Sequence, residues 1–207
     1  MRTSSSPGPV VYVVDDDPDV CASLCLLLEA EGHDVRTFES AVSFLEAYDD
    51  RWTGCLVLDV RMPGMSGLEL QHELRRRGMM MPIIFLTGHG DVPMASRAFR
   101  SGALDFIEKP FRDDALLERI DDALKRDAAE RTAREAASRE RKCYERLTPR
   151  EKEVFALVVA GKSNKEIARL LGISHRTIDV HRARVMEKLG AHSLPDLVIK
   201  AAKCGIR

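Results

Sequence analysis

Short, mostly apolar runs recur through the first half of the chain, each closed by polar or breaker residues. Val10–Val14, Val35–Phe38, Cys55–Leu58, Ile83–Leu86 and Leu104–Ile107 have the length of strands. Cys55–Leu58 is unbroken by polar residues, as a strand covered on both faces must be. Between these runs the apolar period becomes that of a helix. Val20, Leu24, Leu27 and Leu28 share one face of a helix predicted from about Pro18 to Glu31, which Gly32 ends. Ser40 caps a second around Val42, Phe44 and Leu45. Leu68–Arg77 is amphipathic and stops at Gly78, and Val92–Arg100 predicts another helix. Such alternation predicts a parallel sheet with helices on both faces.

From Asp113 a helical pattern begins that no glycine or proline interrupts before Leu147. Leu116, Leu117, Ile120 and Leu124 form an apolar stripe able to pack on the first domain. Beyond Leu124 the apolar stripe gives way to Ala128, Ala129, Ala133, Ala136 and Ala137 among charges, and along the helix several opposite charges stand four apart, such as Asp121–Lys125 and Glu130–Arg134. Strong helix formers favour one long helix to about Tyr144, its second half a solvated connector. The last segment carries capping boxes, Thr148-x-x-Glu151, Ser163-x-x-Glu166 and Ser193-x-x-Asp196, with a weaker cap at Ser174. Helix stops follow at Gly161, Gly172 and Gly190. Four short helices are predicted, at 149–160, 164–171, 175–189 and 194–204.

Charge sharpens this division. The net charge is −1, yet residues 148–207 hold 12 Lys and Arg against 6 Asp and Glu, and the remainder 20 against 27. An acidic half joined to a basic half suggests two tasks, the second on nucleic acid. The segment Met1–Pro9 lacks the apolar core of a signal peptide, and ordered structure is expected from about residue 9. No run reaches the roughly 18 apolar residues of a membrane helix. Five cysteines without metal-type spacing read as free thiols of a cytoplasmic protein.

Chemistry gathers where the runs end. Asp15 and Asp16 follow the first, Asp59 the third, Thr87 the fourth and Lys109 the fifth. In a parallel sheet, groups just past the carboxyl ends of the strands line one crevice. Carboxylates packed there need a cation, and hard oxygen ligands suit Mg2+. A carboxylate beside such an ion can attack phosphorus, with Thr87 donating to a phosphoryl oxygen and Lys109 balancing charge. Each residue also has a plainer reading. The aspartates could cap the helix at Pro18, Asp59 and Thr87 could be turn residues, and Lys109 could be a solvated charge.

On these residues, with Phe106 and Lys109-Pro110, the segment from about Val10 to Leu124 resembles a response-regulator receiver domain. The resemblance implies a flavodoxin-like, five-stranded parallel sheet in the order 2-1-3-4-5. It implies Asp59 as phosphoacceptor, with Thr87 and Lys109 assisting. Mg2+ (or Mn2+) would be held by Asp16, Asp59 and the Arg61 carbonyl, with Asp15 acting through water. It also implies a cis peptide before Pro110. Thr87 and Phe106 would be the switch, reshaping a dimerisation face along helix 92–101 and strand 104–107. Arg61 and His89 could tune hydrolysis.

In the basic segment, Leu147–Glu151, Gly161–Ala168, Leu171–Ser174, Arg176–Arg184 and Lys188–Gly190 resemble the LuxR-type helix-turn-helix. Ile167, Leu170, Leu171, Ile173, Ile178, Val185 and Leu189 are its expected core. The helix 175–189 would enter the major groove. Asp179, Val180 and His181 occupy the stretch that the resemblance implies faces bases, with Thr177 near the amino end of the same helix. Lys165, Arg176, Arg182, Arg184 and Lys188 read as phosphate contacts. His175 and His181, six apart, have no companion spaced for a metal.

Together the two resemblances place the chain in the NarL/FixJ group. They imply a receiver at 1–124, a helical linker at 125–146 and a small all-α helix-turn-helix domain of four helices at 147–207. A sensor histidine kinase would phosphorylate Asp59, and the protein would dimerise and bind promoter DNA, with RNA polymerase as a further partner. Two other classes stay open. One is a phosphate-independent DNA-binding protein whose receiver is an interaction module. The other is a phosphohydrolase, against which stands the absence of a separate general base beside Asp59.

Overall fold

A computed structural model describes residues 8–88 and 105–203. His89, Leu104 and the expected helix at Val92–Arg100 lie outside the described residues. The chain divides into two compact units, Met1–Glu130 and Arg131–Arg207.

The first unit contains strands β1 (Val10–Val14), β2 (Asp34–Phe38), β3 (Gly54–Asp59), β4 (Ile83–Thr87) and β5 (Asp105–Glu108). All pairings are parallel, in the order β2-β1-β3-β4-β5. The expected order is therefore the observed one. Every residue of β3 is buried, because it lies at the centre of the sheet and both its faces are covered. One face carries α2 (Ala41–Ala47) and α3 (Gly67–Arg76), whose Phe44, Leu70 and Leu74 meet Tyr12, Val14, Leu56, Leu58 and Phe85. The other carries α1 (Pro18–Ala30) and the first turns of α4 (Asp113–Glu145). There Leu24, Leu28, Leu116 and Ile120 meet Val11, Val13, Val57 and Ile84.

The stripe on α4 extends beyond Leu124. Asp127 is buried, and its Oδ2 accepts a hydrogen bond from the Gly54 backbone N–H (3.1 Å). The first unit accordingly runs past the expected end at 124. Toward its other end, α4 contributes Cys143 and Tyr144 to the core of the second unit, with the Tyr144 ring 5.6 Å from that of Phe155. Alanine-rich spacing suggested solvent around both stretches. A single buried acid and the lone pair Cys143-Tyr144 carry no periodic signal.

The second unit adds α5 (Pro149–Val159), α6 (Asn164–Leu171), α7 (His175–Leu189) and α8 (Leu194–Lys203). Thr148 and Ser163 form complete capping boxes, and Ser174 caps α7 by accepting from the Thr177 N–H. Ser193 accepts from the Asp196 N–H, while the Asp196 carboxylate takes the His192 N–H rather than that of Ser193. Ile167, Ile178, Val185 and Leu189 are buried as expected, with Leu171 and Ile173 packed against them. Leu170 is exposed instead. α6 has only eight residues, and its inward stripe is Ile167 and Leu171, which leaves Leu170 to one side. The four described cysteines are unpaired. No described helix is long and apolar enough to cross a membrane.

Candidate functional site

Register builds the first site. Val14 pairs with Leu58, Asp59 with Leu86 and Thr87 with Glu108, so the carboxyl ends of four strands finish level with one another. Residues just beyond them meet although they are far apart in sequence. Lys109 Nζ lies 2.7 Å from Asp15 Oδ2 and 2.9 Å from Asp59 Oδ1. Both acids are nearly enclosed, Asp15 at 3% and Asp59 at 8% exposure. Burial works to lower the pKa of Lys109, but hydrogen bonds and charge from Asp15 and Asp59 outweigh it and hold the value above the ordinary lysine range. The ammonium therefore stays charged at neutral pH.

The remaining oxygens are also committed. Asp59 Oδ2 accepts from the Arg61 N–H (2.6 Å), and Asp15 Oδ1 accepts from the Asp17 N–H (3.0 Å). The Lys109 N–H donates to the Thr87 carbonyl (2.6 Å), tying the β5 exit to the end of β4. The Lys109–Pro110 peptide is cis. Phe111 packs with the face that holds α1 and α4.

The three consecutive aspartates divide their work. Asp15 turns inward to Lys109. Asp17 caps α1, accepting from Asp19 N–H (2.9 Å) and Val20 N–H (3.4 Å), so the capping reading applies to this member. Asp16 is exposed beside the pocket, as is Arg61. Among the described residues, no three His, Cys, Asp or Glu side chains are drawn together as a metal site. The Lys109 ammonium bridges the two buried carboxylates instead. Carboxylate and carbonyl oxygens nevertheless form a hard donor set, of a chemistry that fits Mg2+.

Thr87 is buried at the end of β4. Phe106 pairs with Phe85 across the β4–β5 ladder, is partly buried, and its ring lies 6.3 Å from the Phe85 ring. The aromatic ring is thus packed against the core beside the strand that carries Thr87.

One residue of this site went unremarked in the sequence. Gly67 opens α3 directly under Asp59, and a Cβ there would come within 2.2 Å of the Asp59 carbonyl oxygen. Its N–H donates to the Val60 carbonyl (3.0 Å). The capping residue Ser66 was a visible signal for the helix start. The close approach to the acid's own backbone was not.

The second site is α7 and the turn before it. Lys165, Arg176, Thr177, Asp179, Val180 and Arg184 are exposed, a mainly basic surface with one acid and one apolar side chain. Thr177 Oγ1 also lies 2.8 Å from Ser174 Oγ within the cap. His181 is half-buried, and its Nδ1 has no hydrogen-bond partner among the described residues. Arg182 is half-buried too, and its Nη1 donates to Asn164 Oδ1 (2.8 Å). Lys188 turns inward, where Nζ contacts Glu151 Oε2 (2.7 Å) and the Arg146 carbonyl (3.4 Å). Lys188, expected on phosphate, is thereby held within the domain, because the Glu151 carboxylate is almost fully buried and needs a cation.

Residues 11–121 match the family described as the response regulator receiver domain, and residues 145–201 match bacterial regulatory proteins of the luxR family. The chain is 47% identical over 196 residues to the transcriptional regulatory protein FixJ of Azorhizobium caulinodans, covering 95% of this chain and 93% of the relative. It is 43% identical over 205 residues to nodulation protein W of Bradyrhizobium diazoefficiens, covering 99% and 90%. Among solved structures it is similar to the response regulator StyR, with a TM-score of 0.86 at 45% identity, over 95% of this chain and all of that one. Full-length FixJ from B. japonicum matches with a TM-score of 0.58 at 41% identity, covering 96% and 98%.

Proposed function

Since the chain belongs to the NarL/FixJ-type response regulators, phosphorylatable transcription regulators that bind DNA, we propose that Asp59 is its phosphoacceptor and a sensor histidine kinase its donor. The observation that carries this reading is the Lys109 ammonium shared between Asp15 and Asp59. A buried acid so placed is aimed by its ammonium partner, and attack by Asp59 Oδ forms the new O–P bond as the bond to the donor histidine nitrogen breaks. The leaving imidazole nitrogen keeps the electron pair of the broken bond and takes a proton from water. Lys109 then offers its N–H donors to the phosphoryl oxygens, and the Thr87 hydroxyl adds another. Asp15, Asp16, Asp59 and the Arg61 carbonyl would hold Mg2+ (or Mn2+), which neutralises charge on the transferred group.

Phosphorylation adds roughly one to two negative charges at the ends of β3 and β4. In this reading Thr87 moves toward them, and the Phe106 ring follows into the space released. The receiver dimerises, and the helix-turn-helix binds promoter DNA where RNA polymerase responds. α7 enters the major groove, with Arg176, Thr177, Asp179, Val180 and Arg184 toward DNA and Lys165 on phosphate. Unbroken helix and packed side chains support a receiver ending near Glu130, a helical connector, and a DNA-binding domain beginning before Leu147. The relatives' printed roles as transcriptional regulators favour a switch that retains phosphate over a phosphohydrolase, and a cytoplasmic site of action.

The test loads the full chain with beryllofluoride and Mg2+, then measures its affinity for DNA selected from a random library and its oligomeric state. Loading is expected to raise both in the unsubstituted protein and neither in Asp59→Ala. Equal responses from the two proteins would overturn the reading. Fast steady-state release from acetyl phosphate, in place of one retained equivalent, would make the protein an enzyme.

A further inference from the structure

On the exposed side of α7 stands an acid where the surface is otherwise basic. Asp179 is not a stray charge. Its Oδ1 accepts from Asn164 Nδ2 (2.6 Å), and its Oδ2 lies 3.3 Å from His175 Nδ1. Asn164 uses its other atom as well, since Oδ1 accepts from Arg182 Nη1 (2.8 Å). One half-buried amide at the first turn of α6 thus orients an acid and a base on α7. An amide can do this because it presents a donor and an acceptor side by side.

We propose that Asn164 is a specificity-positioning residue and that Asp179, held by it, reads a cytosine in the DNA half-site. This rests on the reading above in which α7 lies in the major groove. An ionised carboxylate only accepts hydrogen bonds. In the major groove, guanine and thymine present acceptors at the relevant edge and repel it. Adenine places its N7 acceptor beside its N6 donor, whereas cytosine offers the N4 donor alone. Free rotation would let a short exposed acid swing away and discriminate weakly. The Asn164 hydrogen bond from α6, with the His175 ring 3.3 Å away one turn earlier on α7, orients the carboxylate before DNA arrives and lowers the cost of ordering it. Val180, the next residue and exposed, supplies an apolar contact suited to a thymine methyl beside that cytosine.

The roles of acid and amide are separable. Asn164→Ala removes the clasp and leaves every charge on α7 in place. Asp179→Asn keeps the shape and replaces an acceptor oxygen with a donor, so its preference should move toward bases that present an acceptor. A merely structural role would produce neither change. It would lower affinity for all sequences alike.

The full chain, loaded with beryllofluoride and Mg2+, is used to select sites from a random double-stranded DNA library, and the selected site is then varied one base pair at a time. We expect one position at which the unsubstituted protein prefers cytosine by about tenfold. Asn164→Ala should flatten that position, a change in relative base preference that the Arg182 guanidinium it also releases does not produce, since a phosphate contact acts on every sequence alike. Asp179→Asn should shift the preference away from cytosine and toward adenine, whose N7 acceptor and N6 donor match an amide. Melting temperatures of both variants serve as the check on folding. Unaltered base preference in both variants overturns the inference while the DNA-binding reading stands. Loss of affinity spread evenly over all positions also overturns it. Absence of any sequence-selective enrichment by the unsubstituted protein overturns both.

Discussion

Lys188, in the last turn of α7, places its ammonium 2.7 Å from Glu151 Oε2, in the first turn of α5. Glu151 also accepts from the Thr148 N–H (2.8 Å), so one carboxylate caps a helix and anchors another. Burial opposes its charge, but Lys188 and Thr148 outweigh that and hold the carboxyl down to about 2. Glu151→Ala should destabilise the DNA-binding unit by about 3 kcal/mol, since it leaves the pair broken and a cap lost. Urea unfolding followed at Tyr144 would read this, and an unchanged midpoint would refute it.

The same pair sets an acid limit. A glutamate whose pKa is lower folded than unfolded stabilises the fold above its usual value of 4.5, and that contribution is lost as pH falls toward about 2. Stability of this unit should therefore fall between about pH 5 and pH 2. In Glu151→Gln the slope over that window should be shallower. Parallel curves for the two proteins would show that other carboxyls govern acid unfolding.

Lys109→Ala would leave Asp15 and Asp59 facing each other without the ammonium. Phosphoryl uptake from acetyl phosphate is expected to drop on the order of a hundredfold, by analogy with the loss of one strong donor at a charged transition state. Gel separation of phosphorylated from free protein measures it directly. Uptake within a factor of two of the unsubstituted chain would remove Lys109 from the chemistry.

Gly67→Ala tests the approach of α3 to the phosphoacceptor. Its Cβ would meet the Asp59 carbonyl oxygen at 2.2 Å, backbone that cannot yield without moving Asp59. A loss of roughly 1–3 kcal/mol is expected from overpacking, together with slower phosphoryl uptake. Normal uptake with reduced stability would confine the residue's role to packing.

Asp127→Ala would strand the buried Gly54 N–H at a cost of about 1–3 kcal/mol. Asp127→Asn retains an acceptor oxygen and should recover most of it. Gly54 itself has φ +130°, a conformation that L side chains rarely adopt, and a Cβ there would strike Val10 backbone. Equal stability of both Asp127 variants would show that the carboxylate's charge, not its hydrogen bond, holds this corner.

The apolar runs, capping residues and charge division already determined much of this protein. They specified the alternation of strands and helices, the four helices of the basic unit and the groups at the strand ends, because each is a local consequence of periodicity or backbone hydrogen bonding. From the run Asp15-Asp16-Asp17 alone, capping and cation binding could not be separated. Only packing decided that Asp15 turns inward, Asp17 caps and Asp16 stays exposed. The same holds for Lys188, one of several basic residues by sequence, whose charge the buried Glu151 carboxylate takes up within the domain. Asn164 and Gly67 act through partners distant in sequence or through space they leave unfilled, and neither leaves a periodic trace. Residue order sets which groups are present and on which element. Tertiary structure decided which of them are already satisfied, because pairing energies depend on distance and burial, and neither is written in the order of residues along a chain.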